Sequence, residues 1–119
     1  MHQSKAPWQL LDSDTETDLK LFKARFDYVL NPKTGQPHKI TLLTGNDSVN
    51  VLAITKTGTA LLIIEYRFGI GAYILELPGG LVDDGETHLQ AAKRELLEET
   101  GYAANEWIYL GSVASNPVF

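Results

Sequence analysis

Three glutamates, Glu95, Glu98 and Glu99, fall within one stretch whose pattern is helical, and this crowding constrains the surrounding chain more than any other feature. A helix of about 3.6 residues per turn sets Glu95 and Glu99 one above the other. On an exposed helix, like charges at that spacing cost about 0.2–0.5 kcal/mol, so the arrangement gains nothing as a stability device. A divalent cation reverses the sign. Clustered carboxylate oxygens suit a hard ion such as Mg²⁺, or Mn²⁺, which takes one or two carboxylates and leaves its other positions to water and phosphate oxygens. The bland alternative is an acidic, solvated helix face.

The helix is well delimited. Thr87 and Gln90 have capping-box spacing at its start, and Gly101, tolerant of the left-handed conformation, is placed to end it after Thr100. Leu89, Ala92 and Leu96 are expected to form the buried stripe, with the glutamates on an adjacent face at the edge of a cleft. Arg94 lies four residues before Glu98 and is expected to hold that carboxylate while leaving the other two free. Upstream, Pro78, Gly79 and Gly80 read as a break after a strand, and Asp83, Asp84 and Gly85 as a turn. The glycine pair lets backbone approach a ligand closely and frees carbonyls that could serve a metal.

The totals narrow the function classes. With 119 residues and 44% hydrophobic composition, the sequence makes one domain at most, with a single core. A net charge of −5 without any basic run argues against nucleic acid as the main partner, and a polyanionic substrate would need a metal. The absence of cysteine excludes a thiol nucleophile and a disulfide framework, and no apolar run has the length of a membrane span. The expectation is a soluble cytoplasmic protein. His2, His38 and His88 show no ligand spacing and are assigned no role.

Along the chain, Met1–Asp18 reads as a polar arm, with Trp8 either packing against the body or offering an aromatic platform to an adenine ring. Phe22, Ala24, Phe26, Tyr28 and Leu30 alternate with Lys23, Arg25 and Asp27, which predicts a half-buried strand. Helical spacing of Leu19, Phe22, Phe26 and Leu30 is the rival, but the turn Asn31-Pro32-Lys33-Thr34-Gly35 favours a hairpin returning over His38–Leu43. After a turn at Gly45-Asn46-Asp47, strands are predicted over Val49–Thr55, Ala60–Tyr66 and Ala72–Leu77. Leu61-Leu62-Ile63-Ile64, apolar on both faces, would be central in a sheet. Arg67 stands at the end of that strand, a phosphate contact or a plain surface arginine. Glu106–Val113 reads as one more strand.

Gly80, Glu86 and the run Arg94-Glu95-Leu96-Leu97-Glu98-Glu99-Thr100-Gly101-Tyr102 together resemble the Nudix box at every position that pattern fixes. Seven such residues coincide by chance on the order of 10⁻⁹ per starting position, taking usual residue frequencies of several per cent. Glu65-Tyr66-Arg67, Glu76-Leu77-Pro78-Gly79-Gly80 and Asp83-Asp84-Gly85-Glu86-Thr87 extend the resemblance to the ADP-ribose and ADP-sugar pyrophosphatase branch of the Nudix hydrolases. Gly79 stands where that branch more often has alanine.

The resemblance implies an α+β fold, a Nudix-type α/β/α sandwich with a mixed sheet, preceded by an N-terminal antiparallel region. Residues 1–45 would form the arm and hairpin through which the branch dimerises, and residues 46–119 the Nudix domain. The family's second helix and several strands, with a loop carrying a further glutamate, are not matched here. The sequence is therefore expected to be a fragment or to be completed by another chain. The implied activity is metal-dependent hydrolysis of a nucleoside diphosphate sugar, ADP-ribose to AMP and ribose 5-phosphate, or another ADP- or GDP-sugar. Glu95, Glu98 and Glu99 would be catalytic and, with the Gly79 carbonyl, bind metal. Arg67 and Glu76 would contact the substrate's phosphate or ribose side, and Gly80, Glu86, Arg94 and Gly101 would support the site. A homodimer binding a small molecule, with neither nucleic acid nor membrane as partner, is expected. The alternatives are a Nudix-fold nucleotide-binding or sensor module without hydrolysis, and a structural piece that acts only with its complement.

Overall fold

Two exposed strands, β1 (Gln9–Ser13) and β2 (Thr17–Asp18), precede β3 (Lys23–Leu30) and β4 (Pro37–Thr44), which alternation and turn chemistry produce. The computed structural model describes residues 6–119. They divide into two units, one holding the described residues through Gly45 together with Ser112–Phe119, the other Asn46–Gly111. Met1–Lys5 of the expected arm, His2 among them, lie outside the described residues.

In the first unit, β3 and β4 form the predicted antiparallel hairpin, Lys23 opposite Thr44 and Leu30 opposite Pro37. Asn31 closes the turn: its Oδ1 accepts the Lys33 N–H at 2.9 Å, its carbonyl accepts the Gly35 N–H at 2.9 Å, and Gly35 takes φ +66°. The rest of the arm is not free. β1 and β2 both pair antiparallel with the other edge of β3, because an open edge offers unpaired N–H and C=O groups that an adjacent extended segment satisfies. The predicted period of β3 holds, but its faces are reversed. Asp27 and Val29 are the buried residues, 5% and 8% exposed, whereas Phe26 on the supposed core face is 42% exposed. Asp27 tolerates burial because the Arg25 guanidinium donates to it at 2.8 Å. Phe26 instead carries the Lys39 ammonium 4.1 Å above its ring.

In the second unit, β5 (Ser48–Asn50) pairs antiparallel with β8 (Gly79–Leu81), and β6 (Ile63–Arg67) with β7 (Ala72–Glu76). The helix α1 spans His88–Thr100 and packs on β8 and β5. The expected strand over Val49–Thr55 is shorter: beyond Asn50 the Val51 N–H bonds to the Pro78 carbonyl at 2.8 Å, and residues 53–55 keep only an isolated bridge, Ile54 opposite Ala60, across the turn at residues 56–58. Leu61–Ile64 is not a central strand among the described residues. β6 has a ladder partner on one edge only, and Leu62 and Ile64 are exposed. Pro78-Gly79-Gly80 does not simply end a strand either, because Gly79 and Gly80 open β8. The stretch Glu106–Val113 forms no strand, because no ladder receives it, and Ile108, Leu110 and Val113 stay exposed.

The unit's core is small: Val51, Pro78, Val82, Ala91 and Leu96. Of the expected helix stripe only Leu96 is buried. Leu89 is exposed, and Ala91, fully covered, takes its place. The covered face of α1 is thus turned toward Ala91, Glu95, Leu96 and Glu99, with the two glutamates half-buried on it rather than beside it.

Candidate functional site

The site is assembled where β8 and its following loop meet α1. Thr87 caps the helix, its hydroxyl accepting the Gln90 N–H at 3.1 Å while the Gln90 side chain accepts the Thr87 N–H at 2.9 Å. At the other end Gly101 takes φ +74° and its N–H reaches the Leu97 carbonyl at 2.9 Å. Both predicted caps are in place, so the helix presents its glutamates at a defined rotation.

Arg94 is the hub. Its Nε and Nη2 grip Glu86 at 2.9 Å each, a two-point pairing, and Nη2 also donates to the Leu81 carbonyl at 2.9 Å. Nη1 donates to Glu95 Oε1 at 2.8 Å and to Glu98 Oε2 at 3.4 Å. The expected Arg94–Glu98 pair is present, but the expectation that Arg94 would leave the other two glutamates free is corrected, since it also holds Glu95. Glu86 and Glu95 are its main partners, because the loop brings Glu86 square onto the guanidinium while Glu98, 59% exposed, meets it from solvent. The pairing raises the Arg94 pKa and, with the Asp83 N–H, holds the Glu86 carboxyl below the usual carboxylate range.

Glu99 has different surroundings. Burial pushes its carboxyl upward, the Gly79 N–H at 3.3 Å partly offsets this, and the negative charges of Glu95 and Glu65 push it further up. Gly80 fits closely beside Glu95. A Cβ there would lie 2.5 Å from the Glu95 carboxyl carbon and 2.9 Å from Oε2. A Cβ on Gly79 would run into the Val49 carbonyl and lie 3.0 Å from Asn50 Cα. The glycine pair thus admits the β5 backbone on one side and a glutamate carboxylate on the other.

Arg67 and Glu76 form a second cluster on one face of β6 and β7. Arg67 Nε donates to Glu76 Oε1 at 2.8 Å, Nη2 pairs with Glu76 Oε2, and Nη2 lies 3.0 Å from Glu65 Oε2. The guanidinium depresses the Glu76 carboxyl, and its own pKa is raised by Glu76 first, then by the charges of Glu65 and Glu99. The structure therefore brings Gly79, Gly80, Glu86, Arg94, Glu95 and Glu99 together, and sets Arg67 and Glu76 against each other, bridged electrostatically to the first cluster by Glu65 and Glu99. Glu98 stands apart at the solvent side of Arg94.

Among the described residues no three acidic or histidine side chains converge as a ready metal cage. What is present is a pair of half-buried carboxylates, Glu95 and Glu99, beside the space that glycine leaves, with Glu99 close to the charges of Glu95 and Glu65, within reach of the Arg67 charge, and in no ion pair among the described residues. That donor set fits a hard divalent ion that takes one or two carboxylates and completes its shell elsewhere.

Glu65, present in the sequence motif but without a role of its own there, the Leu81 carbonyl, and Asn46-Asp47, legible only as a turn, are contributors that the sequence pattern does not single out. In the other unit, Trp8 packs edge-on against His38, ring centroids 5.5 Å apart, beside a groove of about 390 Å³ lined by Ala6, Trp8, Asn31, Pro32 and Lys33.

Residues 45–119 match the NUDIX domain family. A methanol dehydrogenase activator of Bacillus methanolicus is 34% identical over 100 residues, 84% of this chain and 54% of that protein. An ADP-ribose pyrophosphatase of Bacillus subtilis is 32% identical over 85 residues, 71% of this chain and 46% of that protein. A solved ADP compounds hydrolase superposes with a TM-score of 0.86 at 28% identity, over 98% of this chain and 63% of its own. The chain spans about half the length of these two curated relatives.

Proposed function

The chain belongs to the Nudix family, and on that footing we propose that it hydrolyses the pyrophosphate linkage of a nucleoside diphosphate sugar, ADP-ribose first, to AMP and ribose 5-phosphate. The observation that carries this reading is the half-buried Glu95–Glu99 pair against Gly79 and Gly80, with Arg94 committed to Glu86 and Glu95 while Glu99 is left to a backbone N–H. Glu95 and Glu99, with the Gly79 carbonyl, would hold Mg²⁺ or Mn²⁺, and Glu98 would join them by turning from the solvent side of Arg94. The ion would supply positive charge to the phosphate oxygens and lower the barrier to attack by water.

The chain's own residues do the positioning. Glu86 and Arg94 brace the loop against the helix, so that Glu95 cannot swing away from the glycines. Arg67 offers a guanidinium to a phosphate oxygen once a ligand competes with Glu65, while its two-point pairing with Glu76 keeps it oriented. Support for an ADP-sugar comes from the relatives named for ADP-ribose and ADP compounds.

The proposal includes Mg²⁺ as the working metal, a cytoplasmic setting and a homodimer. The dimer would form through residues 1–45, with residues 46–119 as the catalytic domain. The exposed Leu10 and Leu11 on β1, Phe22 before β3 and Phe26 on β3 support apolar surface in this region that a second copy would cover. The relative named as an activator of methanol dehydrogenase favours a second reading, a nucleotide-sensing module that acts on a partner without turnover.

The test is release of AMP from ADP-ribose with and without Mg²⁺, on this chain and on Glu99→Gln. Magnesium-dependent AMP formation, lost in the variant, is the expected result. Mg²⁺-dependent binding of ADP-ribose with no AMP would favour the sensing reading, and neither binding nor turnover would overturn both.

A further inference from the structure

Asn46 and Asp47 lie more than thirty residues upstream of the box, yet they hold both backbone groups of Val82. The Asn46 side-chain amide donates to the Val82 carbonyl at 2.9 Å and reaches Asp84 Oδ1 at 3.4 Å. The Asp47 carbonyl accepts the Val82 N–H at 2.8 Å, which extends the β5–β8 ladder by one pair. Asp47 also touches the first turn of α1, its Oδ2 lying 2.8 Å from His88 Nε2. Val82 is itself buried. Leu81, one peptide before it, supplies the carbonyl that accepts Arg94 Nη2 at 2.9 Å. Arg94 in turn holds Glu95 at 2.8 Å.

From this chain of contacts we infer that Asn46 is a positioning residue for the proposed metal site. It acts through Val82 and the Leu81 carbonyl on the orientation of Arg94, and through Arg94 on Glu95. The inference rests on the reading of Glu95 and Glu99 as metal ligands, but the geometric part of it stands without metal. A side-chain donor is required at position 46 because the group it meets is a carbonyl, which only a donor satisfies, and the amide of Asn46 supplies one at this reach. The neighbouring Asp84 sharpens the requirement. An aspartate at 46 would set a carboxylate against both the Val82 carbonyl and the Asp84 carboxylate, keeping the shape of asparagine while reversing its chemistry.

The experiment uses the full chain and three variants, Asn46→Ala, Asn46→Asp and Asn46→Gln, with Mn²⁺ alone as the probe. The first readout is the Arg94 Nε–H signal in proton–nitrogen NMR of the metal-free protein. It is expected to shift or broaden in the Ala and Asp variants and to recover toward wild type in Gln, which keeps the donor. The second is Mn²⁺ affinity from relaxation enhancement, expected to weaken about tenfold in Ala and Asp, the low end for loss of a group that orients a ligand. Thermal melting separates these effects from unfolding. An Arg94 signal unchanged in both the Ala and Asp variants overturns the inference, whatever the affinity. If wild type binds no Mn²⁺, the metal-site reading falls, and the Arg94 signal still decides whether Asn46 orients the arginine.

Discussion

Substituting alanine at each of two adjacent glycines separates what the fold needs from what the site needs. A Cβ on Gly79 would meet backbone, the Val49 carbonyl and Asn50 Cα, neither of which can move without opening the β5–β8 ladder. A Cβ on Gly80 would meet only the end of a side chain, the Glu95 carboxylate. Ordinary contact begins near 3.4 Å and the Gly80 Cβ would lie 2.5 Å from Glu95 Cδ, so the carboxylate must retreat by on the order of 1 Å. Overpacking against backbone costs about 3 kcal/mol for Gly79→Ala, a fall in melting temperature on the order of 10 °C for a chain of this size. Gly80→Ala should stay within about 1 kcal/mol of wild type, because Gly80 does not adopt positive φ and alanine restricts the unfolded chain. A displacement near 1 Å nonetheless takes Glu95 out of reach of its 2.8 Å bond from Arg94. Catalysis should then fall by roughly 100-fold and Mn²⁺ affinity by about 10- to 100-fold. Thermal melts and metal titrations on both variants decide it. The reasoning is refuted if Gly80→Ala melts as low as Gly79→Ala, or if it binds Mn²⁺ like wild type.

Two further outcomes follow from local geometry. Thr87→Ala removes one half of the capping box and should lower stability by about 1 kcal/mol in a urea titration, with Thr87→Ser close to wild type. Asp27 carries a carboxyl held below its ordinary range by the Arg25 guanidinium and a hydrogen bond from Ser13. Because the folded pKa is depressed, the pairing contributes stability above the unfolded carboxylate range and loses it as pH falls through the folded value. The stability gap between wild type and Asp27→Asn should therefore be widest near neutrality and close on acidification. A gap that is flat with pH would remove the ionic account of this pair.

The parts legible in the sequence are those whose cause is local. The capping box of Thr87 and Gln90 and the left-handed stop at Gly101 depend on residues a few positions apart, and the β3–β4 hairpin on strict alternation and on Asn31 at its turn. β1 and β2 are not legible because every residue in them is exposed, which leaves no burial pattern to read, and the open edge of β3 decides their pairing. The buried face of β3 is hidden in the sequence for a related reason. Alternation shows that two faces differ, but not which of them finds cover, and here Arg25 lets Asp27 go inside. At the site, the i, i+4 rule favours Glu98 as partner of Arg94, whereas the loop delivers Glu86 at a better angle. The β8 glycines read as a break because the approach of Val49, thirty residues away, is a tertiary fact.

The charge balance around the helix gives the strongest physical reason to expect dependence on an added cation. Glu65, Glu76, Glu86, Glu95, Glu98 and Glu99 bring six carboxylates into the two linked clusters, against the guanidiniums of Arg67 and Arg94. Both arginines are already engaged, Arg94 by Glu86, Glu95 and Glu98, Arg67 by Glu76 and Glu65. A pyrophosphate approaching this face therefore meets net negative charge, and recruiting either arginine would uncover a carboxylate that it now neutralises. Each such pairing is screened by solvent at this surface, so exchanging one carboxylate partner for a phosphate oxygen yields little. Positive charge brought from solution adds attraction without that exchange, and it would favour the ionised form of Glu99, whose carboxyl is pushed upward first by burial and then by the charges of Glu95 and Glu65.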